Sequence, residues 1–348
     1  MTLSTGKTMT HGNSKTMTRG NSRQKTRTAA RAAVAVVLGV LAALGYVAPA
    51  GAHGADAPAA VDYVVRVDSV SEPGVTVRAV EGGARLELRS ASDRTVVVLG
   101  MQGEPFLRIS GDGVAENRGS PTWAASRSLT GTVKGAAAAA PQWHQVSRQR
   151  TVRWHDERAR ELPARAWSVP LEIDGTTPGI IRGVITKAEP PATGWWWSGA
   201  LLAAVAIGLA TPRSRIALAV VAGVAGAVVV AWIVVSAQLA TSPAENLGTQ
   251  LLARLWPLLT GVGVLAAAGL LALRKSAANL VAAIGGACLA VMTGFADAGV
   301  FSNGGLAGPG WSRWAVATAL AGGLGLMAGG AASWYRTPVE DRTSEADK

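Results

Sequence analysis

The chain has 348 residues, a mean hydropathy of +0.26, 16% charged residues and 42 glycines, which excludes an ordinary soluble two-domain protein and points to the membrane. Its net charge is +11, but seven Lys and Arg and no acid fall in the first 31 residues, so the basic balance is mostly that of a tail. A single cysteine excludes an intrachain disulfide framework and any multi-cysteine metal site.

Residues 7–14 (KTMTHGNS) and 15–22 (KTMTRGNS) are near copies of one polar segment with nothing apolar to bury. Such composition predicts disorder, and Met9 or Met17 can serve as the start. The apolar stretch Ala32–Val47, followed by Pro49 and Ala50-Gly51-Ala52, has the form of a secretory signal, with cleavage expected after Ala52. An uncleaved anchor is the alternative, since the stretch approaches spanning length. Either way residue 53 onward is exported. The expected organisation is therefore 1–52 as basic extension and signal, 53–192 as an extracytoplasmic β-sandwich, 193–336 as a five-helix membrane domain, and 337–348 as a cytoplasmic tail.

Eight short alternating segments follow: Tyr63–Val70, Val75–Val80, Ala84–Leu88, Thr95–Leu99, Phe106–Ile109, Thr151–Trp154, Trp167–Ile173 and Ile180–Ile185. Turn residues separate them, as in Glu72-Pro73-Gly74, Glu81-Gly82-Gly83, Gly111-Asp112-Gly113 and Asp174-Gly175. Period-two alternation with that turn spacing predicts an all-β, immunoglobulin-like antiparallel sandwich. Gly131–Pro141 has no strand pattern and reads as a long loop. The region holds 17 basic and 16 acidic residues and no basic stripe, which excludes nucleic acid as a partner. Trp123, Trp143, Trp154 and Trp167 are expected to pack in the core or at its edge.

Five apolar segments, Trp195–Thr211, Ile216–Ala240, Leu251–Leu273, Ala277–Phe295 and Trp314–Trp334, approach or exceed the length that crosses the hydrocarbon. Arg213, Arg215, Arg274, Lys275 and Arg336 mark one set of connections; those at 241–250 and 296–312 have no Lys or Arg. The positive-inside rule places the basic set in the cytoplasm, the β domain outside and the carboxyl terminus inside. Trp195, Trp196, Trp197, Trp256, Trp311 and Trp314 then fall at the outer headgroup level, suited to anchoring. Within the spans only Arg254 and Asp297 come near, at outer ends where side chains can snorkel. That argues against a transporter's proton or ion relay. Recurrent glycines, including the Gly325/Gly329 GxxxG pair, predict close helix contact and possible homo-oligomerisation. Cys288 reads as a small buried hydrophobe.

After signal removal three histidines remain, His53, His144 and His155. A mature amino-terminal His53 offers an α-amine and an imidazole, nitrogen ligands suited to Cu(II), and the arrangement resembles the mature terminus of periplasmic copper-binding proteins. Adjacent Asp156 and Glu157 read as solvated edge charges paired with Arg153 or Arg158. No G-x-S-x-G elbow, H-E-x-x-H helix or phosphate-binding glycine loop occurs.

Gly103-Glu104-Pro105-Phe106-Leu107-Arg108, Glu116-Asn117-Arg118, Ser120-Pro121, Trp154-His155-Asp156 and the Trp167-Ser168-Val169-Pro170-Leu171 strand resemble a family of actinobacterial membrane proteins with an exported β domain and carboxyl-terminal spans. That family's motif reads W-H-D-H-R-x-H-W. This chain has Glu157, Arg160 and Glu161 where the further histidines and the tryptophan stand, and the resemblance implies architecture alone. The expectation is a non-enzymatic envelope protein whose exported domain binds, senses or assembles with an unidentified envelope protein or ligand. Copper handling through His53, His144 and His155, or a subunit role in a transport complex, are the alternatives.

Overall fold

The computed structural model describes residues 60–127, 132–138, 140–160, 163–241 and 246–336. The expected signal segment, His53 and the acidic tail (Glu340, Asp341, Glu345, Asp347) lie outside them.

Among the described residues ten strands form: β1 (Tyr63–Val70), β2 (Val75–Val80), β3 (Arg85–Ser90), β4 (Val96–Leu99), β5 (Pro105–Ser110), β6 (Gly113–Asn117), β7 (Trp143–Ser147), β8 (Thr151–Trp154), β9 (Arg165–Ile173) and β10 (Thr177–Lys187). All pair antiparallel, in a seven-stranded sheet of order β1-β10-β9-β4-β5-β6-β7 and a three-stranded sheet of order β2-β3-β8. Alternation does what the sequence implies. In β9, Trp167, Val169, Leu171 and Ile173 are buried while Ala166, Ser168 and Pro170 are exposed. They meet Leu86, Leu88, Val98, Ile109, Val114, Trp154, Ile181 and Ile185 in one core.

All eight expected strands are present, and β6 and β7 are additional. GVAEN and WHQVS are weak strand sequences, held by pairing with neighbours rather than by propensity. The turn between β5 and β6 closes at Ser110–Gly113. Gly113 has φ +109, and a Cβ there would run into the Ser147 carbonyl of β7, so only glycine serves. A short helix, α1 (Pro121–Ala125), starts at Ser120, whose hydroxyl accepts from Thr122 and Trp123 N–H, with Pro121 in the first turn.

The helices are α2 (Thr193–Ala210), α3 (Arg215–Ala240), α4 (Leu247–Ala253), α5 (Leu255–Ala272), α6 (Ala278–Leu289), which continues as a π-helical turn Ala290–Phe295, and α7 (Ser312–Arg336). Among the described residues five helical stretches are long and apolar enough to cross a membrane, so the chain is a multi-pass membrane protein bearing a β domain. The expected third span, Leu251–Leu273, is divided: α4 ends and α5 begins at Arg254. Pro257 lacks an N–H and its ring clashes with the carbonyl four residues back, at Ala253, which breaks the helix there.

The last span is the hub, with 61% of its apolar window buried against 11% for the first. A Cβ at Gly322 would lie 2.8 Å from Ala225 of α3, one at Gly323 2.6 Å from the Ala290 nitrogen, and one at Gly330 2.7 Å from the Asn279 carbonyl. Gly325 and Gly329 face Ile207 and Thr211 at the end of the first span. The GxxxG pair thus seats a helix of the same chain, and no second copy need supply that contact. Cys288 is exposed rather than buried. The inward stripe of α6 runs through Ala282, Ala283, Gly286 and Leu289, and Cys288 falls outside it.

Candidate functional site: the WHD motif and the sheet–bundle junction

Trp154 closes β8, so His155 and Asp156 lie just beyond the strand and escape its alternation; both are buried. Trp154 Nε1 donates to Asp156 Oδ2 at 2.9 Å. Arg158 reaches both carboxylate oxygens, Nε to Oδ1 at 2.9 Å and Nη2 to Oδ2 at 2.8 Å. Its Nη2 also donates to the Leu99 carbonyl at 3.1 Å, tying the motif to the end of β4. The expected Asp156–Arg158 pair therefore forms, but inside the fold rather than on a solvated edge. Arg153 pairs instead with Glu87 of β3, Nε to Oε2 at 2.6 Å.

Both ring nitrogens of His155 are engaged. Arg85 Nε approaches His155 Nε2 at 3.1 Å and the Ala84 carbonyl lies 2.8 Å from Nδ1. Arginine can only donate, so Nε2 accepts and the proton sits on Nδ1, a neutral tautomer assigned from the network. An N–H aimed at Nε2 occupies the lone pair that a metal would need. His144 lies on the exposed edge strand β7 of the other sheet. Among the described residues no group of three or more His, Cys, Asp or Glu is placed to hold a metal ion.

His155, Asp156, Glu157 and Arg160 line a narrow cleft, no larger than a water molecule needs, together with Met101, Thr122 and Ser126. Its polar groups largely serve the fold. The Thr122 hydroxyl accepts from Met101 N–H at 2.8 Å and the Ser126 hydroxyl donates to the Trp123 carbonyl at 2.9 Å. Beside it, Glu104 of the G-E-P-F motif accepts from Ser120 Oγ at 2.6 Å, Thr122 N–H at 3.3 Å and Gln102 N–H at 3.0 Å. Burial alone would raise the Glu104 carboxyl; these donors outweigh it and hold it below its ordinary value of 4.5. Asn117 accepts from Gly119 and Gln142 N–H and donates to the Pro105 carbonyl. The G-E-P-F and W-H-D motifs thus pin the β4–β5 turn, α1 and β8 together.

The second charged cluster lies where the sheets meet the helices. Val61 and Gly305 exchange both backbone hydrogen bonds, at 3.0 and 2.9 Å, in an antiparallel bridge between the chain entering β1 and the connection before α7. Asn303 Nδ2 donates to the Ala60 carbonyl at 3.1 Å. Arg313 holds that connection from beneath, donating to the carbonyls of Val300, Asn303 and Gly304. Glu81, at the turn after β2, faces Arg85 Nε at 3.4 Å and Arg153 Nη1 at 3.9 Å. Arg153 also donates to the Leu239 carbonyl near the end of α3 at 3.3 Å. Arg254 feels the charges of Glu81 of the β domain and of Asp297, so it has opposite charge within reach rather than simply snorkelling. Glu87 receives Arg78 and Arg153, both at 2.6 Å. Burial would raise its pKa, but the two arginines hold it below 4.5.

Aromatic rings complete the junction. Trp196 stacks on buried Phe301 at 5.8 Å with its edge contact to Trp314 at 4.9 Å, and Trp197 meets Phe301 edge-on at 5.5 Å. The tryptophans expected as an anchor belt therefore divide: Trp195, Trp256 and Trp314 are exposed, whereas Trp196 and Trp197 are half-buried. Trp154 and Trp167 enter the β core, Trp123 packs against it, and Trp143 at the edge carries Arg108 over its ring. Sequence reading does not single out Glu81, Arg85 or Arg313. The usable signal is that Arg254 and Asp297 are charges at span boundaries, which call for a partner.

Neither a family model, nor a curated protein, nor a solved structure matches this chain.

Proposed function

We propose that this is a non-enzymatic envelope protein whose β domain lies on the extracytoplasmic side and acts in binding, sensing or assembly. The observation that carries the reading is the junction. A backbone bridge, an asparagine clasp and the Arg153 hydrogen bond to the Leu239 carbonyl seat the domain on the helix ends, so load on the sheets passes to the bundle without a flexible tether. Orientation is supported by charge: Arg213, Arg215, Arg274, Lys275 and Arg336 all mark the connections and helix end remote from the β domain.

The outward face of the large sheet presents Ser168 and Pro170 of β9 and Arg182 of β10. Photo-crosslinkers placed at Ser168 and Arg182 of the full chain in cells are expected to capture one discrete partner from the extracytoplasmic side. A reporter fused after Lys348 that proves accessible from outside overturns the orientation. Turnover of a defined substrate by the purified chain overturns the non-enzymatic label.

A further inference from the structure

We infer that the bundle end remote from the β domain binds the phosphate of an anionic glycerophospholipid through Arg213, Arg215 and Arg336. These residues terminate the first, second and fifth spans, Thr193–Arg213, Arg215–Ala240 and Ser312–Arg336, so helix length sets them at headgroup level. They converge on one short turn. Arg336 Nη1 donates to the Pro212 carbonyl at 3.3 Å, Ser333 Oγ reaches the same oxygen at 3.4 Å, and Arg213 Nη1 reaches back to the Leu209 carbonyl at 3.4 Å.

Those are long contacts to neutral acceptors. The ion pairs of Arg66, Arg78, Arg85, Arg94, Arg150, Arg153 and Arg158 all lie in the β domain. The three arginines at the remote turn are exposed and have no carboxylate among the described residues. Three like charges gathered at one turn repel, and an anion between them relieves the repulsion.

The surroundings select a lipid over a soluble phosphate. Leu209, one turn toward the bilayer from Arg213, is 68% exposed; Ile216, next to Arg215, is 76% exposed; Tyr335, beside Arg336, is 56% exposed. Cations at the headgroup level with open apolar surface beneath match a phosphate above and acyl chains below. A free anion would use only the upper half.

The test uses the full chain purified in detergent, offered equal amounts of phosphatidylglycerol and phosphatidylcholine and read by native mass spectrometry. Phosphatidylglycerol should be retained preferentially. The R213Q/R215Q/R336Q variant should lose that preference by roughly a hundredfold, about fivefold per charge removed. The R274Q/K275Q variant, which removes charge from the other remote turn, should lose less than the roughly fivefold of a single charge at the site, because no lipid phosphate is held there. Equal loss in both variants would mean diffuse attraction and would overturn the site. Should the triple variant not fold, Arg215→Gln and Arg336→Gln singly serve, and unchanged retention in the folded singles overturns the proposal. Neutralising the tail (Glu340→Gln, Asp341→Asn, Glu345→Gln, Asp347→Asn) should leave retention unchanged. A large gain would identify the chain's own tail as the occupant, and displacement of the lipid by equimolar inorganic phosphate would identify a free-anion site; either overturns the assignment.

Discussion

The two ends of the helix bundle handle charge in opposite ways. At the β-domain end, Arg254 feels the opposite charges of Glu81 and Asp297, and Arg313 caps three carbonyls. At the remote end, Arg213, Arg215 and Arg336 meet only backbone carbonyls or none among the described residues. A buried charge must find its counter-charge within the protein, because no water or lipid headgroup reaches it. A charge at the lipid boundary can leave that task to the membrane. Protein partners hold the first end together, and the second is left open to the bilayer.

The strongest way to break internal charge pairing is Asp156→Ala, within the β domain itself. Arg158 would keep its place near the carbonyls of Leu99 and Gly100 but lose its carboxylate, whose side chain is 2% exposed. Stranding a buried partner costs about 3–5 kcal/mol. Melting of the full chain followed by tryptophan fluorescence should show the β transition falling sharply while far-ultraviolet helical signal persists. A shift smaller than about 1 kcal/mol, the scale of an exposed pair, would mean that the motif does not pin the strands.

A smaller effect is expected from Gly305→Ala. A Cβ there would stand 2.6 Å from the Tyr63 carbonyl, inside the bridge that seats the β domain. Overpacking of this kind costs about 1–3 kcal/mol, and here it acts on docking. Gly310→Ala is the matched control, because nothing lies within 4 Å of its Cβ. Limited proteolysis at Pro190–Thr193 should accelerate in the first variant and not in the second. Equal protection in both would show that the bridge does not hold the domain.

Much of this architecture is legible from the chain itself. Turn glycines and period-two alternation mark eight strands because burial of one face leaves a local imprint, as at Trp167, Val169, Leu171 and Ile173. Length and apolarity mark the five spans for the same reason. What escapes is nonlocal. Nothing in GVAEN or WHQVS announces a strand, since pairing with β5 makes the first one and pairing with the first makes the second. Asp156 reads as an edge charge until the fold brings Arg158 and Trp154 around it. The role of Arg254 depends on Glu81, 173 positions earlier in the sequence, and only packing joins them. Cys288 was one step off the buried stripe, a phase that hydropathy alone does not set.

Acid sharpens the comparison at the smallest amplitude. Glu87 and Glu104 both have carboxyls held below 4.5 in the fold, so the native state resists their protonation more than the unfolded chain does. Their contribution is fully present above the unfolded value. It is lost as pH falls through the depressed native values, because the unfolded state then binds protons first. The β-domain transition should therefore move to lower temperature as pH drops below about 4.5, and Glu104→Gln should flatten part of that dependence while lowering stability at neutral pH. The remote turn has no carboxylate among its described residues, so the helical signal should hold over the same interval. If the helices lose structure together with the strands at the same pH, the two ends are coupled more tightly than their separate charge environments imply, and the contrast between a self-paired end and a lipid-facing end fails.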